Sequence, residues 1–560
     1  MMGKSDIHTM KQQEFSRPTA EEWRAAAETS LKGRKVETLE TETMEGIRLK
    51  PLYMERPARL PVRPDNGSWV IAQGAGGQTG QEWLTGVREG LEKGNEAICL
   101  DGRQQKIEWD DTSLEQLAEL LTESPIAWFH IEEEDEILKV FGKVQETDRK
   151  SVSGLLCAGN FRMPAGYPNV RTEGIDLEPI HMKGADSVTE LAYALAAAAE
   201  RAEKSEDFEQ FANSVFFRFA ADTQFFMEIA KFRAFRSLWS LFSSAYGADD
   251  DITIPVCGIT SMRSFSKIDP HVNLLRAANS AFSAVLGGAD WLMVTPYNAL
   301  TGDTPQSQRY ARSMQLILRE ETHAGKTADP SGGSYFIEQL TDELIRRAWQ
   351  RFLDMQEAGG TEGFLASGRL EELADERKTK AAAGELRLIG TNVYADPEGA
   401  EQLSLTAISA EDRPAYPFER LRERAKGCRL DIVLIPFGKL ADYKPRTDFA
   451  AGFLAVAGLT ARMAPPCSSG SDAAAWLNSE TPDYAILCAD PATLESVTAD
   501  VLARVADSIR LDAAGKAAPA LAEQWLRSGL NGFIHAGQDK VMKLTEIISL
   551  SKGGITDEKA

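Results

Sequence analysis

Two stretches of this 560-residue chain alternate short β-rich runs with amphipathic helical segments, and that alternation constrains the fold more than any other feature. From about residue 65 to 390 the runs 69–73, 97–100, 126–131, 154–158, 215–219, 252–257 and 291–295 are separated by helical patterns. Strands separated by helices run parallel, because each helix carries the chain back across the sheet. Seven or eight such units suit a closed (β/α)8 TIM-type barrel. Beyond residue 427 the shorter runs 429–436, 461–464, 484–488, 509–511 and 532–535 repeat the pattern and predict a small doubly wound α/β domain.

The helices supply the apolar stripes that such sheets need. In 223–243, Phe225, Phe226, Ile229, Phe232, Phe235, Leu238, Trp239 and Phe242 recur at steps of three and four and predict one buried face. Val188, Leu191, Leu195 and Ala199 do the same one helix earlier. Four segments follow: a polar helical arm over 1–45, with capping-box spacing between Thr19 and Glu22; a main α/β unit over 46–395; a proline-punctuated linker over 396–426; and a second α/β unit over 427–560. The arm has too little apolar surface to fold alone, so a subunit contact is expected of it.

The balance of 62 basic against 84 acidic residues, a net charge of −22, disfavours a nucleic-acid or membrane-surface binder, since both need clustered cations. No apolar stretch is long enough to span a bilayer. The six cysteines are scattered, without metal-ligand spacing, so no metal site is expected and a reducing, cytoplasmic setting is the simple expectation. The first residues lack the apolar region of a secretory signal.

Several motifs carry little chemistry. The glycine-rich 74–80 stretch follows a predicted strand but lacks the Lys-Ser/Thr ending of a phosphate loop, so a strand-to-helix turn is expected. The acidic run 132–136 reads as a solvated surface. His130, His271, His323 and His535 are dispersed and receive no role. The 328–349 segment, Ala-Asp-Pro-Ser-Gly-Gly-Ser-Tyr followed by an amphipathic run, is a tight loop feeding a helix.

That segment also resembles the Asp-Pro-Trp-Gly-Gly-Ser-Tyr stretch of the methylmalonyl-CoA mutase family, with Ser331 in place of the tryptophan. Three more stretches are similar in the same order: His181-Met-Lys-Gly-Ala-Asp with Glu190-Leu-Ala-Tyr-Ala-Leu, then Phe226-Met-Glu-Ile-Ala-Lys through Trp239, then Asp269-Pro-His-Val-Asn-Leu-Leu-Arg276. The resemblance implies a barrel that binds a coenzyme A ester, followed by a flavodoxin-like, cobalamin-binding-type domain. It also implies adenosylcobalamin as cofactor, homolysed to start a carbon-skeleton rearrangement.

Against that family pattern, this chain departs where the cofactor and substrate would bind. The Asp-x-His-x-x-Gly loop, whose histidine ligates cobalt, corresponds to 437–444, where Gly438, Lys439 and Asp442 stand and no histidine does. A protonated lysine has no lone pair to offer. Ser-x-Leu and Gly-Gly elements are replaced by 488–491 and 511–514, and the substrate-side stretches by 61–66, 100–105 and 257–263. His181 alone matches a family histidine placed near the thioester carbonyl, and a packing role is expected of it. The resemblance therefore implies a small, non-catalytic subunit that supports a homologous catalytic large subunit binding the adenosylcobalamin. The alternatives are an independently active acyl-CoA mutase and a mutase-derived binding or regulatory module.

Overall fold

A computed structural model describes residues 18–55, 67–103, 106–248, 252–399 and 412–551. The chain opens with helix α1 (Ala20–Ser30), whose Thr19 hydroxyl and Glu22 carboxylate form the expected capping box. A short antiparallel hairpin follows, β1 (Thr41–Glu42) and β2 (Arg48–Leu49).

The first α/β unit carries β3 (Val70–Ile71), α2 (Gly80–Glu92), β4 (Ile98–Asp101), α3 (Asp111–Leu120), β5 (Ile126–Phe129), β6 (Ser153–Leu156), β7 (Asn169–Arg171) and β8 (Glu173–Asp176). It continues through α4 (Glu178–Met182), α5 (Ser187–Ala202), β9 (Val215–Ala221), α6 (Phe225–Ala245), β10 (Val256–Thr260), α7 (Val272–Gly287), β11 (Trp291–Met293), α8 (Pro305–Glu321), α9 (Tyr335–Glu357) and α10 (Arg369–Ala383). All its strand pairings are parallel, in the orders β4-β5-β6-β7 and β3-β11-β10-β9-β8. The two sets meet at both margins. Glu96 N–H donates to Ile71 O at 2.9 Å, and Gly74 bridges Cys99. At the other margin only Thr172 separates β7 from β8.

This β7–β8 segment is absent from the expected strands. It contains few apolar residues, because Asp176 pairs with Arg218 and because Gly174 makes room for Phe216 and Cys157; a Cβ there would lie 2.6 Å from the Phe216 ring. The expected run 252–257 also shifts, since β10 starts only at Val256.

On α6 the predicted stripe holds for Ile229, Phe232, Phe235, Leu238, Trp239 and Phe242, but Phe226 is 50% exposed. Glu228, Lys231 and Arg233 are buried instead. The main core gathers α5, α6, α7 and α9 around the outer faces of β8–β11. A second core sits between α2, α3 and the outer faces of β4–β6. A third, smaller cluster collects the opposite faces of the same strands, including Cys99, Phe129, Leu155, Phe216, Ile259 and Met293.

The stretch expected to be a polar linker, 396–426, differs. Residues 400–411 lie outside the described residues, and Tyr416–Ala425 forms α11, with Phe418 and Leu421 in the core of the second unit. Pro417 sits in its first turn, where the missing N–H costs nothing, so it starts a helix rather than marking a loop. The second unit comprises β12 (Ile432–Pro436), α12 (Leu440–Ala455), β13 (Arg462–Met463), α13 (Gly470–Glu480), β14 (Tyr484–Cys488), α14 (Pro491–Leu502), β15 (Arg510–Ala514), α15 (Pro519–Arg527), β16 (Gly532–Ile534) and α16 (Lys540–Ile548). All five expected strands form one parallel sheet ordered β13-β12-β14-β15-β16. The order reverses beside β12, the position at which open α/β sheets bind ligands. Arg413 ties the two units together, donating to Phe265 O at 2.9 Å and pairing with Glu419 at 2.7 Å.

Candidate functional site

His181 sits on α4, just beyond the carboxyl end of β8, and is wholly buried. Its Nδ1 lies 2.6 Å from Glu190 Oε1, and its Nε2 lies 2.7 Å from Ser261 Oγ. The Glu190 carboxylate accepts from Nδ1–H, which leaves Nε2 of the neutral ring to accept the Ser261 hydroxyl proton, while Ser261 Oγ itself accepts the Arg263 N–H at 3.0 Å. Burial first, and the Arg263 cation second, hold this imidazole well below the usual histidine range, in its neutral form. With both nitrogens engaged and no exposed surface, His181 links the helices that follow β8 to the end of β10, across β9, and has no free atom for proton transfer.

The network continues outward. Glu190 Oε2 accepts from Lys231 at 3.0 Å, Lys231 pairs with Glu228 at 2.7 Å and also donates to Ala220 O at 2.6 Å. Arg263 pairs with Asp222 at 2.9 Å and donates to the carbonyls of His181 and Ala185. Burial pulls the Lys231 ammonium down, but its two carboxylates hold it above its ordinary range. Burial also pushes Glu228 up to about 7 despite Lys231, whereas Arg263 keeps Asp222 well below the carboxylate range. The residues that carry the sequence resemblance at 181–190 and 226–231 thus converge on one buried polar knot.

A second cluster fills the space at the carboxyl ends of β4, β5, β8 and β9. Arg218 is fully buried, pairs with Asp176 at 2.5 Å and Asp101 at 3.4 Å, and lies 4.2 Å over the Phe129 ring. Arg103 pairs with Asp101 at 2.8 Å and Glu178 at 2.6 Å. His130, to which the sequence assigned no role, joins here: its Nε2 is 2.7 Å from both Asp176 and the Arg218 guanidinium. His130, Asp176 and Glu178 stand close enough to share a metal ion, yet both carboxylates already face guanidinium groups, which compete with a cation. The signal that would have found this cluster is Arg218 itself, a cation inside an otherwise apolar strand, Val-Phe-Phe-Arg-Phe-Ala-Ala.

Below Arg218 the strand interior is packed by Phe129 against Phe216, edge to face with centroids 6.0 Å apart. The cavity above, bounded by Gln73, Asp101, Arg218, Met293 and Thr295, holds about 80 Å³. Drug-sized ligands occupy pockets of roughly 300–1,000 Å³. Of the substrate-side stretches, 61–66 and residues 104–105 lie outside the described residues. Within the others, Asp101 and Arg103 build the ion cluster, while Ser261 and Arg263 build the histidine knot.

In the second unit the residues do not fit a cobalamin. After β12, Gly438 takes the left-handed conformation at φ 81°, and Lys439 N–H donates to the Asp442 carboxylate at 3.0 Å. Helix α12 begins at Leu440, so Gly438, Lys439 and Asp442 form a tight helix start with no imidazole. After β14, Asp490 caps α14 through the amides of Ala492 and Thr493. Residues 511–514, expected after the fourth strand, lie within β15; Asp512 is buried there and pairs with Lys543 at 2.8 Å. The residue that does follow is Gly515, and the Arg446 guanidinium lies over it, 2.8 Å from where a Cβ would stand. The histidine of this unit, His535, is half-buried beyond β16, at the far edge of the sheet from β12.

The other matched stretches are structural. Arg233 of α6 ion-pairs with Asp329 and, at 2.9 Å, with Glu338, which also accepts the Gly333 N–H at 2.8 Å. Asn273 of α7 clamps the backbone of Ser266 and Tyr297, and Arg276 donates to Ile389 O at 2.6 Å. The glycine-rich 74–80 stretch is a strand-to-helix turn ending in a Thr79–Glu82 capping box, and in the acidic run Asp135 caps the following helical turn. No helix among the described residues is long and apolar enough to cross a membrane.

Comparison with known proteins gives these matches a common origin. The family description "Methylmalonyl-CoA mutase" matches residues 163–430. A probable methylmalonyl-CoA mutase small subunit of Mycobacterium bovis is 35% identical over 372 residues, covering 63% of this chain and 60% of the relative. The methylmalonyl-CoA mutase small subunit of Streptomyces virginiae is 30% identical over 415 residues, covering 68% and 64%, and that of Porphyromonas gingivalis 31% identical over 319 residues, covering 52% of each. The chain therefore spans less than two thirds of the length of these relatives. With the four motif stretches in order and the buried knots they build, the chain belongs to the methylmalonyl-CoA mutase family.

Proposed function

We propose that this chain is the small, non-catalytic subunit of a two-chain, adenosylcobalamin-dependent methylmalonyl-CoA mutase, supporting a homologous large subunit that isomerises methylmalonyl-CoA and succinyl-CoA. In this reading residues 46–395 are a (β/α)8 barrel and residues 427–560 a flavodoxin-like domain, consistent with all-parallel pairing and with the reversal of strand order beside β12. Residues 1–45 contribute to the subunit contact, in the cytoplasm.

The observation that carries this reading is the filled strand interior. A thioester chain running along the barrel axis would have to displace the Phe129–Phe216 pair and the Arg218 ion cluster. The second unit agrees, since Gly438, Lys439 and Asp442 close on one another and offer no cobalt ligand. Duplication followed by loss of one site accounts for a retained fold whose former site is packed with its own side chains.

Equilibrium dialysis of adenosylcobalamin tests it, first against the chain alone and then against the chain co-purified with a catalytic mutase subunit. The expected result is retention only by the pair, with turnover that depends on the large subunit. Stoichiometric retention by this chain alone overturns the reading.

A further inference from the structure

The connection that leaves β10 is irregular yet buried. Across 261–268 no residue is exposed, and only Met262 and Lys267 keep partial access to solvent. Loops ordinarily run over the surface, because a buried one strands its backbone N–H and C=O groups away from water. Here those groups are met by two different parts of the molecule.

The first half of the loop is held by the first unit. Ser261 N–H donates to Ala221 O at 2.8 Å and its hydroxyl donates to His181 Nε2 at 2.7 Å, while Arg263 holds Asp222 and the carbonyls of His181 and Ala185. The Phe265 ring packs in the main core of that unit. The second half is held by the second unit. Phe265 O accepts from Arg413 at 2.9 Å, and Lys267 N–H donates to Glu419 Oε1 at 2.9 Å. Arg413 and Glu419 are both buried and joined by two hydrogen bonds, of 2.8 and 2.7 Å. Ile268 belongs to the core of the second unit, in the cluster that contains Phe418 and Leu421 of α11.

Between the halves there is no slack. Asn273 of α7 accepts the Ser266 N–H at 3.1 Å and donates to Ser266 O at 3.0 Å, and Ser266 Oγ accepts the Ile268 N–H at 3.2 Å. Phe265 in one core and Ile268 in the other are thus braced as one piece. The contacts at the two ends are of the same kind, charge-assisted hydrogen bonds in a water-excluded interior, so neither end is the weak point.

We propose that 261–268 couples the two units: displacing the second unit loosens the buried knot around His181, and loosening the knot releases α11. The coupling joins this chain's own halves and does not rest on the subunit reading. A partner or ligand that moves the second unit acts through this loop on the carboxyl ends of β8, β9 and β10.

Hydrogen–deuterium exchange of the full chain, read by peptide mass spectrometry, tests the proposal. In the double variant Arg413→Met, Glu419→Gln, which removes both charges of the pair together, exchange at 181–190 and 261–267 should rise by about tenfold, within the usual range for two linked sites, while 126–129 on the far sheet of the first unit stays at the parent rate. Coupling is reciprocal, so Ser261→Ala, which cuts the loop from the knot without touching the second unit, should raise exchange at 416–425. This milder variant decides the question alone if the double variant fails to fold. Parent rates at 181–190 in the folded double variant, a rise of equal size at 126–129, or parent rates at 416–425 in Ser261→Ala each overturn the proposal.

Discussion

Arg218 lies with its guanidinium 4.2 Å above the Phe129 ring while its nitrogens hold Asp176 and Asp101. One side chain thereby caps the apolar strand interior and neutralises the carboxylates at its mouth. Removing it leaves buried Asp176 with only His130 and Asp101 with only Arg103, so Arg218→Met should destabilise the first unit by about 3 kcal/mol, the lower end of the usual cost of breaking a buried pair from one side. Urea unfolding followed by the fluorescence of the core tryptophans measures this. A change below about 1 kcal/mol would mean that water already compensates the cluster.

The two buried clusters make stability depend on pH in two directions. Arg218 and Arg263 hold Asp176 and Asp222 well below their unfolded values, so their contribution is complete above the unfolded carboxylate range and is lost as the pH falls through their folded values. Glu228 behaves oppositely. Raised to about 7, it keeps in the folded state a proton that the unfolded chain releases near 4, so stability declines as the pH rises between those values. Glu228→Gln should flatten the decline between about pH 5 and 7, by an amount on the order of 1–3 kcal/mol. Denaturant midpoints across pH 4–8 check it; parallel curves for the two proteins would remove Glu228 from the account.

His181 offers a test that separates structure from catalysis. Replacing it with Ala breaks the links to Glu190 and Ser261 and leaves a buried carboxylate short of a donor, which should cost about 2–4 kcal/mol. If its role is bracing, turnover per assembled complex stays at the parent level while the thermal midpoint falls. A loss of kcat by about tenfold or more in a fully assembled complex would instead place this histidine in the chemistry.

How far these clusters are legible in the sequence follows from what each element buries. The strands between helices are recognisable because Ile126 to Phe129 or Tyr484 to Cys488 are continuously apolar and buried. The β7–β8 segment is not, because Asp176 faces Arg218 and Gly174 yields its volume to Phe216, so polarity conceals a strand. The α6 pattern predicts one apolar stripe, yet Glu228, Lys231 and Arg233 are buried on it by compensating one another and residues far along the chain. Periodicity registers single side chains; it does not register pairs such as Arg233 with Glu338, whose burial is tolerated only jointly. The same limit hid His130, dispersed in sequence but bonded to Arg218 in space. It also displaced 511–514, where the buried Asp512 interrupts the apolar run of β15 but is accommodated by Lys543.

Restoring a single ligand should not restore a cofactor site. Lys439→His would place an imidazole at the start of α12, where the backbone amide is already bonded to Asp442 and Gly438 is held in a left-handed turn. An imidazole there could bind cobalt only if the rest of the group had room. On the far side of the β12–β14 reversal, Arg446 lies over Gly515, and Asp490 caps α14. A bulky cofactor would have to displace both, giving up a helix cap at a cost of about 1 kcal/mol and moving a guanidinium from its packed position. Lys439→His is therefore expected to show no retention of adenosylcobalamin in dialysis and no change in the cofactor's visible spectrum. Retention by this variant would mean that the crevice opens readily and that a missing ligand alone separates this chain from a cobalamin binder. If Lys439→His combined with Arg446→Ala binds while neither single variant does, the obstruction lies with Arg446.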